Sequence, residues 1–97
     1  MTLTAHQAQA IIRECCDHSE RLIFTIHALQ RMRLRGISAQ QVIRCLRNGR
    51  ITEEPARSPK GDWKCTLTYI AAGVRLEVAV AINLHAQPIV TVIVTTY

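Results

Sequence analysis

The sequence predicts an α+β fold, with two or three N-terminal helices packed on a three- to four-stranded antiparallel sheet, and three observations carry that expectation. Apolar residues recur at helical spacing as far as Gly49 and at every second position beyond it. Two capping-box strings, Thr4 with Gln7 and Ser38 with Gln41, open helices. Ala72-Gly73 and residues 85–88 supply turns that fold the second half into a meander.

Each element follows from its residues. After Thr4, the apolar positions Ala8, Ile11, Ile12, Cys15 and Cys16 give a one-faced helix of about four turns. Residues 22–25 are a short β-favouring run or an extended linker. They lead to a second helix over 26–35, ended by Gly36. A third helix carries Ala39, Val42, Ile43 and Leu46 on one face, and Gly49 stands where a left-handed terminal residue is wanted. Strands are expected over 50–55, 63–72, 74–84 and 89–97, with a loop across 54–62 where prolines, a glycine and a serine gather. The last strand is long, apolar and uncharged, so it belongs inside the sheet or against another chain. An interior position is expected, with the oligomeric state open.

With 97 residues, the chain makes one domain, 1–97, with little room for an enclosed cofactor site, and no cofactor is expected. A surface groove is the natural kind of site. Charge is uneven. Residues 1–60 hold ten Lys and Arg against five Asp and Glu, whereas residues 61–97 hold two of each, so the whole net charge of +5 lies in the first part. That balance points to a polyanionic partner or to a solvated basic surface. Cys15, Cys16, Cys45 and Cys65 lack paired metal-site or redox spacing and read as reduced thiols. His6, Cys15, Cys16 and His18 do not make a metal site, because neighbouring helical residues diverge by about 100°. No apolar run approaches the roughly 20 residues that span a bilayer, so no membrane contact and a cytoplasmic location are expected.

The stretch from residue 27 to residue 50 contains six arginines, one histidine and no acid. Arg31, Arg33 and Arg35 lie on the second helix, and Arg44 and Arg47 on the third. Permanently charged guanidinium groups around an imidazole that titrates near neutrality suit a phosphodiester, which makes RNA the first partner to consider. His27, Arg31 and Arg35 are spaced i, i+4, i+8 and form one row beside the apolar Ala28 and Met32. Arginine forks can hold phosphate oxygens and neutralise charge as a 2′-hydroxyl attacks phosphorus, and a neutral imidazole can exchange the proton. The plainer alternative is a hydrogen-bonded histidine at a helix start among solvated arginines. On the strand expected over 74–84, one row is apolar (Val74, Leu76, Val78, Val80, Ile82, Leu84) and the other, continued to residue 85, reads Arg75, Glu77, Ala79, Ala81, Asn83, His85. The two alanines suggest a shallow depression or a surface covered by another element. Thr95 and Tyr97 could offer hydroxyls at the end of the last strand.

The string H-A-L-Q-R-M-R-L-R-G-I-S from His27, the later R-N-G-R, a G-x-W-x-C-T-L strand and the terminal I-V-T-V-I-V-T-T-Y resemble a bacterial family of unknown function over about residues 22–97. Its signature is H-A-x-x-R-M-x-x-R-G-I. That family is similar in layout to the BrnT and RelE ribonuclease toxins, which are neutralised by antitoxins. The resemblance implies a metal-independent endoribonuclease of toxin–antitoxin type and a cognate antitoxin partner. His27, Arg31 and Arg35 match the signature helix, Gly36 ends it, and Thr95 falls in the matching terminal strand. Arg75 is added by analogy with an arginine that such toxins place on a central strand. Only Lys60 and Lys64 occur as lysines, so a lysine-rich ribosome-binding surface is missing.

Two functions are therefore expected to compete. In the first, His27, Arg31, Arg75 and Glu77 cleave RNA while Arg35, Arg44, Arg47, Thr95 and Tyr97 hold it. In the second, the chain is a non-catalytic accessory or immunity-like protein that binds an acidic partner or nucleic acid through the same basic face.

Overall fold

The structure, a computed structural model, describes residues 2–85 and 87–96, with the backbone alone for residues 94–96. Helix α1, Ala5–Cys16, begins at the expected capping box. The Gln7 N–H donates to Thr4 Oγ1 at 3.1 Å, and the Thr4 N–H donates to Gln7 Oε1 at 3.0 Å. A single 3-10 turn, Ser19–Arg21, leads into strand β1, Leu22–Phe24. Helix α2, Ile26–Arg35, is capped by Thr25 and closed by Gly36, whose φ of 67° is left-handed and costs glycine least. Helix α3, Ala39–Asn48, starts at the second capping box, Ser38 with Gln41. Four strands follow: β2 Arg50–Arg57, β3 Trp63–Ala71, β4 Val74–Asn83 and β5 Ile89–Thr96.

These strands form one sheet in the order β1-β5-β4-β3-β2. The meander from β2 to β5 is antiparallel, as its turns require, and Ala72 and Gly73 both take positive φ at the β3–β4 hairpin. The architecture is α+β with three helices, but the sheet has five strands and is mixed, because β1 pairs in parallel with β5. Leu22 stands opposite Val90, and Phe24 opposite Val92. Three residues carry too short a pattern to announce a partner so far along the chain. This pairing places β5 between β1 and β4, so the apolar last strand has a neighbour on each side.

All three helices contribute to one core, built from Ala8, Ile12, Cys15, Ala28, Met32, Val42, Cys45 and Leu46 against Leu67, Val78, Val80, Ile82, Val90 and Val92. Strand alternation sends Lys64, Thr66, Arg75, Glu77 and Ala79 to the other face. The register between β4 and β5 shifts from Ala79↔Val94 to Val80↔Val92, leaving Ile93 as a bulge. The expected strict alternation through Thr95 therefore breaks there, and the Thr95 backbone pairs with Val78.

Gly49 also differs from expectation. Its backbone is extended, with φ −73° and ψ 169°, so no left-handed conformation is involved. A Cβ at this position would lie 2.5 Å from the Cys45 carbonyl oxygen and 2.9 Å from that of Thr68. Close approach of α3 to β3 is what calls for glycine here.

Candidate nucleic-acid interface

Helix α2 exposes both ends of its basic row, His27 and Arg35, and half-buries Arg31 between them. Four residues of helix rotate about 40° beyond one turn, so a row at i, i+4, i+8 drifts around the axis. His27 is exposed, Arg31 is half-buried, and Arg35 lies in the last turn beside Gly36. The buried Arg31 Nε has no hydrogen-bond partner among the described residues. Ala28 and Met32, on the neighbouring stripe, dock the helix.

Helix α3 continues the basic surface. Arg35, Ile37, Gln41, Val74 and Leu76 line a depression of about 240 Å³. Gln41, Val74 and Leu76 also line an adjoining one with Arg44 and Tyr69, and Arg44 reaches a third with Ile43 and Arg47. The result is a track from Arg35 past Gln41 to Arg44 and Arg47, with the β3–β4 hairpin beneath its first half. Arg44 has no ion-pair partner among the described residues. Arg47 is different. Its Nη2 donates to Asp17 Oδ1 and to the Cys16 carbonyl, and the hydrogen bond with Asp17 raises its pKa above the ordinary arginine value. Much of its charge is therefore met within the protein.

Arg75 and Glu77 are brought to each other, Nη2 to Oε2 at 2.9 Å, on the sheet face opposite Leu76 and Val78. Neither of them lines the depressions that hold Arg35 and Arg44, and α2 packs against β5 rather than β4. The four expected catalytic residues thus divide into a pair on α2 and a pair on β4. The Thr95 side chain and all of Tyr97 lie outside the described residues.

Residues 24–97 match the family model described as Domain of unknown function (DUF4258). The chain belongs to that family. No curated relative and no solved structure matches it.

The DUF4258 segment contains α2, α3 and strands β2 to β5, and hence the whole basic track. In front of it, α1 packs on α3 and β2, and the Gln9 side chain donates to the Gly49 carbonyl at 2.8 Å. Of the alanine row of this DUF4258 chain, Ala81 lines a depression and Ala79 is not among the lining residues. Ala81 lies there with Lys64, Thr91, Ile93 and the loop of residues 58–62, in a space of about 360 Å³.

Two groups of residues escape the sequence pattern. Gln41 is visible there only as a capping partner, although its position between Arg35 and Arg44 is what joins them. Arg57, Lys60 and His85 meet around a further depression, but they come from separate segments that no local pattern connects. Among the described residues no group of three or more His, Cys, Asp or Glu could hold a metal ion, and no helix is long and apolar enough to cross a membrane.

Proposed function

We propose that this protein binds single-stranded RNA along the α2–α3 track, with Arg35 and Arg44 gripping successive phosphates and Arg31 adding charge. The observation that carries the reading is the pair of adjoining depressions, lined by Arg35 and Arg44, that share Gln41, Val74 and Leu76. Guanidinium forks match phosphate oxygens in pairs, and an open groove admits a flexible strand. The basic surface supports a cytoplasmic RNA partner, and a cognate antitoxin would compete for the same charges.

Cleavage is the second reading, favoured by the exposure of His27 one turn ahead of Arg31. In that reaction a 2′-oxygen attacks the adjacent phosphorus and the bond to the 5′-oxygen breaks, leaving a 2′,3′-cyclic phosphate and a 5′-hydroxyl. His27 would take the 2′-proton or deliver one to the leaving oxygen. The resemblance to BrnT and RelE toxins supports this chemistry. The separation of Arg75 and Glu77 from α2 leaves the second proton-transfer role without an assigned residue, so binding is the better-supported conclusion.

Incubation of a labelled single-stranded transcript with the protein tests both. Salt-dependent binding that weakens in Arg35→Ala and Arg44→Ala is the expected result. Binding indifferent to salt and to both substitutions would sink the proposal. A cyclic-phosphate product that disappears in His27→Ala selects the enzyme, whereas an intact transcript selects the binder.

A further inference from the structure

The far end of the sheet carries a second basic cavity. Strand β2 ends at Arg57 opposite Trp63, where β3 begins, and the connecting loop is closed by its own backbone. The Ser58 N–H donates to the Asp62 carbonyl at 2.7 Å, and the Gly61 N–H to the Ser58 carbonyl at 2.9 Å. The end of β4 is tied to this loop, because Asn83 Nδ2 donates to Asp62 Oδ1 at 3.3 Å and Asn83 Oδ1 accepts the His85 N–H at 2.9 Å. Between them lies a depression of about 510 Å³ lined by Arg57, Ser58, Lys60, Trp63, Leu84 and His85. That is the size of a small-ligand pocket, for which roughly 300–1,000 Å³ is usual.

Its chemistry selects an anion with an apolar body. Arg57 and Lys60 bring two positive charges, His85 brings an imidazole, and among the described residues no carboxylate lines the space. Ser58 Oγ is buried without a hydrogen-bond partner among the described residues, an unmet polar atom in the wall of this cavity whose hydroxyl would reach a ligand oxygen once the side chain turns outward. Trp63 and Leu84 give an apolar side beside these donors. Only a small part of the indole surface is exposed, at 8 % of the residue, so this side is an edge rather than a stacking platform.

We infer that this cavity binds the terminal phosphate of a nucleotide, with Arg57 and Lys60 on the phosphate, Ser58 donating to one oxygen and the nucleoside against Trp63 and Leu84. The site is separate from the RNA track. Trp63 and Ala71 are at opposite ends of β3, about 26 Å apart at the usual rise per residue. A free mononucleotide and the phosphorylated 5′ end of an RNA offer the same chemistry.

Trp63 is the single tryptophan, so its fluorescence reports the site directly. The protein is titrated with adenosine 5′-monophosphate, with adenosine, and with one oligoribonucleotide carrying either a 5′-phosphate or a 5′-hydroxyl. The expected result is a saturable change in emission with the monophosphate, displaced by inorganic phosphate and absent with adenosine. Arg57→Ala and Lys60→Ala each weaken it at least tenfold, and Ser58→Ala weakens it severalfold, while thermal melting stays that of the parent. A response to the 5′-phosphorylated oligonucleotide alone identifies an RNA end as the ligand. No response to either phosphorylated probe, or equal responses in the parent and the Arg57 and Lys60 variants, overturns the inference.

Discussion

The Thr25 hydroxyl donates to the Ile93 carbonyl at 3.1 Å, and the same oxygen accepts the Ala28 N–H at 3.0 Å. One side chain therefore caps α2 and fastens it to β5 at the bulge. The Thr25 N–H adds a backbone bond to the Val92 carbonyl at 3.2 Å. The direction in which His27 and Arg31 leave the fold is set at this joint.

Thr25→Ala removes the cap and the strand contact together. The expected loss is about 1–2 kcal/mol, the usual range for a helix cap with a tertiary hydrogen bond. Thr25→Ser keeps both bonds and should recover most of it. Urea unfolding of the two variants decides, and equal stabilities would show that the hydroxyl contributes nothing.

Gly49→Ala should be more damaging than its size suggests. The added methyl meets two carbonyl oxygens of rigid backbone, one in α3 and one in β3, and neither can rotate aside. A destabilisation of about 1–3 kcal/mol is expected, as for other overpacked sites. Gly36→Ala has open space but a left-handed φ, so its cost is conformational, about 1 kcal/mol. A melting temperature for Gly49→Ala equal to that of the parent would contradict the close-approach account.

Arg44 and Arg47 lie on the same track but should behave differently. Arg44→Ala is expected to leave melting unchanged, weaken RNA binding, and reduce the slope of log affinity against log salt by about 0.7 for each phosphate that is no longer neutralised. Arg47→Ala should weaken binding less, because Asp17 already meets its charge. Asp17→Asn should strengthen binding by releasing Arg47. The reverse ranking in a salt titration would reassign the phosphate-binding roles.

The cysteines predict an alkaline weakness. Burial pushes the Cys45 thiol up to about 12 and the Cys65 thiol to about 11, from an ordinary value of 9.0. Above pH 9 the unfolded chain has released these protons while the folded protein keeps them, so stability falls as pH rises toward 12. Below pH 9 both states hold the protons and the effect vanishes. Urea midpoints measured across this window should fall in the parent and fall less in Cys45→Ala with Cys65→Ala. Native labelling with a thiolate-directed reagent should reach half-buried Cys16 before the other three.

Much of this architecture is legible because local chemistry announces it. Thr4 with Gln7 and Ser38 with Gln41 mark helix starts, Gly36 marks a helix end, and Val78, Val80 and Ile82 mark a core face. Long-range geometry is not written locally. The partner of β1, the bulge at Ile93 and the approach that demands Gly49 arise only when distant backbones meet. The row of His27, Arg31 and Arg35 follows from helical period, and its extension through Gln41 to Arg44 depends on how α2 and α3 turn about residues 36–38. Analogy draws Arg75 toward α2, whereas strand alternation sends it with Glu77 to the other face.

The parallel pairing of β1 with β5 also has a consequence for synthesis. Thr25 and Ile93 are 68 residues apart, so the joint that orients α2 cannot close until all of the intervening chain has left the ribosome. Until then α2 can form as a helix, but without its mooring, and the entropy of the long closure delays the reward for ordering it. A nascent chain interrupted before β5 would carry a helix rich in arginine with no fixed bearing.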